Sequence, residues 1–171
     1  MTSYASIFEL FAQAISHNLK FPKLRLQVGN DTLVVKLNGV KSKYQGSIAL
    51  ANDAGFGSQA SRYYGRIELN GGLVAGRDLT PEIETFIQKL AADPIGTCAE
   101  NGKLTGNCSF CQKALTDGNS LAAGYGPICA KKYSLPWNAA KESRKSRKEC
   151  HSCGSEVKQG QSCTCFDNGC E

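Results

Sequence analysis

All nine cysteines of this chain lie between Cys98 and Cys170, and the first 97 residues have none. Nine thiols in 171 residues mean either a disulfide framework or metal held in a reducing compartment. A secreted scaffold stapled by disulfides would not confine them to one end. The opening Met1-Thr-Ser-Tyr-Ala-Ser-Ile-Phe-Glu-Leu has no basic n-region, no continuous apolar stretch and no small-residue cleavage site. No apolar run is long enough to span a bilayer. The expectation is a reduced, cytoplasmic protein whose cysteines ligate zinc.

The cysteine-free part reads as an α+β domain over residues 1–93. Tyr4, Ile7, Phe8, Phe11 and Ile15 recur at helical spacing, with Ser6 and Glu9 placed as a capping box, so Tyr4–Leu19 is expected to be an amphipathic helix. Its polar face is poor in Lys and Arg, which favours packing on a sheet over lying on a membrane. The period then falls to two. Leu24, Leu26 and Val28 alternate with Arg25 and Gln27, and Leu33 to Leu37 follow the turn Gly29-Asn30-Asp31, which predicts a hairpin. Tyr44 to Leu50 and Tyr63 to Leu69 suggest two more strands around a Gly-, Ala- and Ser-rich loop at 52–61. A short strand follows at Leu73 and Val74. Thr80-Pro81-Glu82 opens a second helix with a capping hydroxyl and a proline in its first turn, and Asp93-Pro94 is expected to end it. The fold class is thus a small antiparallel sheet flanked by two helices and followed by one or two zinc modules.

Beyond residue 93 the segments are short and Gly-rich, too small to bury a core unaided, and metal would supply the missing stability. Three pieces are expected: a cysteine module at 94–138, a basic linker at 139–149 and a miniature zinc ribbon at 150–171. In the module, Cys108-Ser-Phe-Cys111 is a CxxC pair that a tight turn aims at one ion about 2.3 Å away. Cys129 is the natural third ligand. Cys98 is the candidate fourth, with an Asp or Cys170 as substitutes. A redox role would need a βαβ setting with the first cysteine at a helix start, which this region lacks, and buried inert thiols are the bland alternative.

The run Thr105-Gly-Asn-Cys-Ser-Phe-Cys-Gln-Lys-Ala-Leu-Thr-Asp, then Ser120, Gly124-Tyr-Gly-Pro-Ile-Cys-Ala and Leu135-Pro-Trp137, resembles a cysteine module near the C-termini of bacteriophage and prophage proteins, a domain of unknown function. The segment from Tyr63 to Pro94 looks, more loosely, like what precedes that module. The resemblance implies zinc binding and a viral or prophage origin, with no activity attached. Gln112 departs from it, because glycine commonly follows the second cysteine there. Cys98 is not carried over from the resemblance and rests on spacing alone.

At the C-terminus, Cys150-His-Ser-Cys153-Gly154 followed by Cys163-Thr-Cys165 has the pattern of a zinc ribbon, with Gly154 where a knuckle needs a permissive backbone. Cys170 or His151 could replace a member of the set. Two structural zinc ions are expected, a single shared site being the alternative.

An all-thiolate shell is closed, and no phosphate loop, nucleophile elbow or His-Glu-x-x-His motif is present, so a non-catalytic protein is expected. The formal charge of +5 is a weak guide, because each tetrathiolate zinc carries about −2 and two would leave the protein near +1. Local clustering says more. Lys131, Lys132, Lys141, Arg144, Lys145, Arg147 and Lys148 join the two cysteine clusters and suit nucleic-acid phosphates. Tyr44, Tyr64, Arg62 and Arg66 form a candidate stacking surface on the sheet, unless the tyrosines pack inward. The expected function is a phage-type zinc-binding accessory protein that contacts nucleic acid. The alternative is an adaptor or inhibitor docking on a host enzyme, since zinc ribbons serve either purpose.

Overall fold

A computed structural model describes residues 4–54 and 57–137, together with the backbone at 148–149 and 156–157. Met1–Trp137 and Asn138–Glu171 are two separate compact units. The first is α+β, a five-stranded antiparallel sheet with five helices. The expected division at residue 93 falls inside it, at a junction between two helices.

Helix α1 (Ala5–Ser16) starts after Tyr4, one residue before the expected cap. The capping box is therefore not formed. Ser6, now inside the helix, donates its hydroxyl to the carbonyl of Ala91 and ties α1 to the end of the next helix in the chain. Ile7, Leu10, Phe11 and Ala14 are buried, and Asn18, at φ +62°, breaks the helix off.

The sheet is a meander in the order β1 (Lys23–Val28), β2 (Asp31–Leu37), β3 (Ile48–Ala51), β4 (Tyr63–Ile67) and β5 (Leu73–Ala75). Leu24 faces Val35 and Leu26 faces Leu33 on the covered side, followed across the sheet by Leu50, Ile48 and Ile67. Each is fully or almost fully buried, as period-two alternation with one face on the core requires. Tyr44 lies in the turn before β3, so the third strand is shorter than expected. A register shift at Leu50/Ala51 pairs Ala51 with Tyr63 and skips Tyr64, which turns inward and is 1% exposed.

Helix α2 (Pro81–Ala92) begins as expected, with the Thr80 hydroxyl accepting from the Ile83 amide and Pro81 in the first turn. Its end differs from the expectation. Asp93 closes α2 and at once caps α3 (Pro94–Thr105), accepting from the Gly96 amide, so Pro94 starts a helix here. Helices α4 (Gly118–Ala123) and α5 (Pro127–Lys132) complete the unit, whose core runs without a break from α1 to Leu135. None of the helices among the described residues is long and apolar enough to cross a membrane.

β1 is an edge strand, and the cysteine module covers its free edge. The Arg25 amide donates to the Ser109 carbonyl at 2.8 Å. Asn101 on α3 clamps Gln27 from both sides, its amide nitrogen donating to the Gln27 carbonyl and its oxygen accepting from the Gln27 amide. The Gln112 side-chain amide donates to the Arg25 carbonyl and the Tyr133 hydroxyl to the Lys23 carbonyl. Among its described residues the second unit contains one antiparallel pair, β6 (Lys148–Glu149) with β7 (Glu156–Val157).

Candidate metal centre

Three elements bring the thiols together. An isolated bridge between Asn107 and Ala114 pinches the chain, and the Cys108 amide donates to the Lys113 carbonyl while the Gln112 amide donates to the Cys108 carbonyl. That loop carries Cys108 and Cys111. Gly126 and Pro127 then start α5, whose first turn delivers Cys129. The sulfurs of Cys108, Cys111 and Cys129 all lie within 4.8 Å of one another. Tetrahedral zinc with bonds of about 2.3 Å would place its sulfurs about 3.8 Å apart, so this donor set fits the ion with a small contraction.

The sulfur of Cys108 already has the environment of a metal-bound thiolate. The Cys129 thiol and the backbone amides of Phe110, Gly126 and Cys111 point hydrogen bonds at it and, against the opposing effect of burial, hold its pKa down at about 5. Amides two and three residues beyond a cysteine donating to its sulfur are what a zinc knuckle provides. Cys129 is pushed upward, first by acting as donor to Cys108 and then by burial. Cys108 and Cys129 are buried while Cys111 is exposed, so the site opens to solvent on one side.

Cys98 is not brought into this group. It lies on α3, wholly buried, and burial together with the nearby Cys108 and Asp93 raises its pKa. Its contribution to the knuckle is through its backbone, since the Ser109 hydroxyl donates to the Cys98 carbonyl. Among the described residues, no fourth Cys, His, Asp or Glu joins the three. Cys150, Cys153, Cys163, Cys165, Cys170 and His151 lie outside the described residues, as do Lys141, Arg144, Lys145 and Arg147. Of Lys148 only the backbone is described.

The motif residues around the thiols have distinct duties. Leu115 is buried, and Asp117 caps α4 by accepting from Ser120, whose hydroxyl and amide hold the carboxyl below its ordinary range. Gly124 ends α4 at φ +81°, and there the chain crosses α3 with no room for side chains. Tyr125 donates to the Pro136 carbonyl and packs near Trp137, while Phe110 stacks obliquely on Tyr133 at 4.5 Å. Asn101 and Ser109 carry no motif that would have identified them.

Gln112 sits at φ +63°, a left-handed conformation that costs a side-chain-bearing residue about 1 kcal/mol. Its side-chain amide recovers part of this through long bonds of 3.2 Å to the Cys108 carbonyl and 3.4 Å to the Arg25 carbonyl. Gln112→Gly is accordingly expected to raise the stability of the zinc-loaded protein by up to about 1 kcal/mol. A lower urea midpoint would show that the amide contacts outweigh the backbone strain.

Residues 98–134 match the model of a family of unknown function, DUF6011. The match runs from Cys98 through α3, the knuckle and α4 to just past α5. No curated protein and no solved structure matches the chain.

Proposed function

We propose that this chain is a non-catalytic, zinc-stabilised accessory protein that binds nucleic acid through the region around its cysteine module. One observation carries the reading: the thiol group forms a knuckle whose last cysteine, Cys129, is followed after Ala130 by the exposed Lys131 and Lys132 at the end of α5. The basic sequence from Lys141 to Lys148 follows a few residues later. Such a cluster suits phosphates, a contact that ignores sequence and weakens with salt. The resemblance to phage modules suggests a virus-encoded protein acting in the cytoplasm of a host.

A second zinc in the C-terminal unit is supported by backbone register. The bridge Asn107↔Ala114 joins the residue before Cys108 to the third residue after Cys111. Glu149↔Glu156 stands in the same relation to Cys150 and Cys153. Equal offsets around the two CxxC pairs support a second metal ion in the chain. Native mass spectrometry of the full chain is expected to show two zinc ions that a chelator removes, and a single ion would limit metal to the first site.

Band shifts with duplex DNA and RNA at about 50 and about 200 mM salt test the nucleic-acid claim. Changing Lys141, Arg144, Lys145, Arg147 and Lys148 to Ala together should weaken binding and flatten its salt dependence. Absence of salt-sensitive binding by the wild type would refute the claim. The other reading, docking on a host protein, is favoured by exposed apolar side chains on all three helices of the module, Leu104, Leu121 and Ile128. Capture from a bacterial lysate would then be the next experiment.

A further inference from the structure

We propose that the uncovered face of the five-stranded sheet is a platform for single-stranded nucleic acid, with phosphates along Lys23 and Lys36 and bases stacked at Tyr44 and Tyr63 beside Arg66. This rests on the nucleic-acid reading above and adds a surface to it.

Helices and core occupy one face of the sheet, and register fixes what the other face carries. Lys23 pairs with Lys36, Lys36 with Ala49, and Ala49 with Arg66, so three cations lie on one row across four strands. Strands about 4.8 Å apart put Lys36 and Arg66 about 10 Å from each other, with only a methyl between them. Like charges directly opposite each other destabilise a sheet. Among the described residues neither Lys23 nor Lys36 has an ion-pair partner, whereas Asp53 pairs with Arg25 and Glu68 with Arg66. An unneutralised lysine pair on an open face is complementary to a polyanion.

The aromatic groups sit beside these cations. The Arg66 guanidinium lies 4.1 Å from the Tyr44 ring, and the register that sets Ala49 opposite Arg66 and Ala51 opposite Tyr63 puts the second ring on the same face. Lys43 approaches Tyr44 from the same loop, its nitrogen 5.5 Å from the ring centre. Tyr44 and Tyr63 are both exposed, and the small Ala49 and Ala51 keep the floor between them low. Planar rings alternating with positive charge match a chain of phosphates and bases better than an acidic peptide, which has no ring to stack. Stacking needs unpaired bases, hence a single strand. Tyr133 reaches the Lys23 carbonyl, so the end of α5, where Lys131 and Lys132 lie in sequence, is tied to the strand that carries Lys23.

Fluorescence anisotropy of labelled oligo(dT) and of a duplex against the full-length, zinc-loaded protein tests the assignment. Tyr63→Ala and Tyr44→Ala should each weaken oligo(dT) binding about tenfold while leaving duplex binding unchanged. Lys23→Ala combined with Lys36→Ala should weaken it and lower its salt slope by about 1–2. The five-alanine linker variant separates the two claims: it should lose duplex binding and retain most oligo(dT) binding. Unchanged oligo(dT) affinity in the sheet variants would overturn the platform and leave the linker claim intact. Displacement of oligo(dT) by poly-glutamate at equal charge concentration would also overturn it, because that would show charge capture without stacking. Circular dichroism melts matching wild type would confirm that these surface variants fold.

Discussion

Cys108→Ser should release the zinc of the first site and lower the stability of the whole 1–137 unit by at least about 3 kcal/mol, measured by denaturant unfolding in parallel with native mass spectrometry. Cys108 is 1% exposed, and the Cys129 thiol and three backbone amides favour its charged form, which a bound metal cation would neutralise inside the loop. The loss would not stay local. Ser109, in the same loop, holds the Arg25 amide of β1, and Phe110 belongs to the common core. Cys98→Ala supplies the contrast. Outside the three-thiol group but fully buried, that residue should cost only about 1 kcal/mol of packing and leave the zinc in place. Zinc retention and an unchanged midpoint in Cys108→Ser would refute the metal centre; zinc loss in Cys98→Ala would make Cys98 its fourth ligand.

Gly102→Ala should destabilise the protein by about 3 kcal/mol, although alanine is the better helix former by about 1 kcal/mol. Gly102 lies in α3, and a Cβ there would fall 1.9 Å from the Gly124 carbonyl oxygen. A Cβ on Gly124 would in turn fall 2.0 Å from the Ala99 oxygen, and its φ of +81° disfavours any side chain. Both obstacles are backbone, so relief requires pulling α3 away from the turn that leads to Cys129. The control is Gly118→Ala, where an added methyl meets open space and the change should stay below about 1 kcal/mol. Equal thermal midpoints for the two variants would show that the contact between α3 and this turn is not tight.

The sequence made the sheet hairpin and α2 plain because each is written in short range: Leu24 to Leu37 alternate about a Gly-Asn turn, and Thr80-Pro81 carries its own cap. α3 was hidden for a physical reason. Gly96, Asn101 and Gly102 weaken its intrinsic propensity, and what holds it helical is a cap shared with α2 and a glycine contact far along the chain. The outward tyrosine of β4 is Tyr63 rather than the expected Tyr64, since one skipped residue at Leu50/Ala51 exchanges the outward and inward positions and sends Tyr64 into the core. Cys108, Cys111 and Cys129 were legible from their spacing. Which residue would stand fourth beside them was not, because spacing along the chain does not say which thiols a helix and a loop bring together.

The two margins of the sheet are treated differently. β5 is only three residues long, too short to recruit another strand, whereas β1 offers six residues whose hydrogen-bonding groups are occupied by the knuckle, Asn101, Gln112 and Tyr133. If those partners depend on the metal, zinc also acts as a guard against self-association. Depleting it would uncover a flat, apolar-backed template on which a second chain could add a strand, so the metal-free protein should be lost to aggregates before it is lost to simple unfolding.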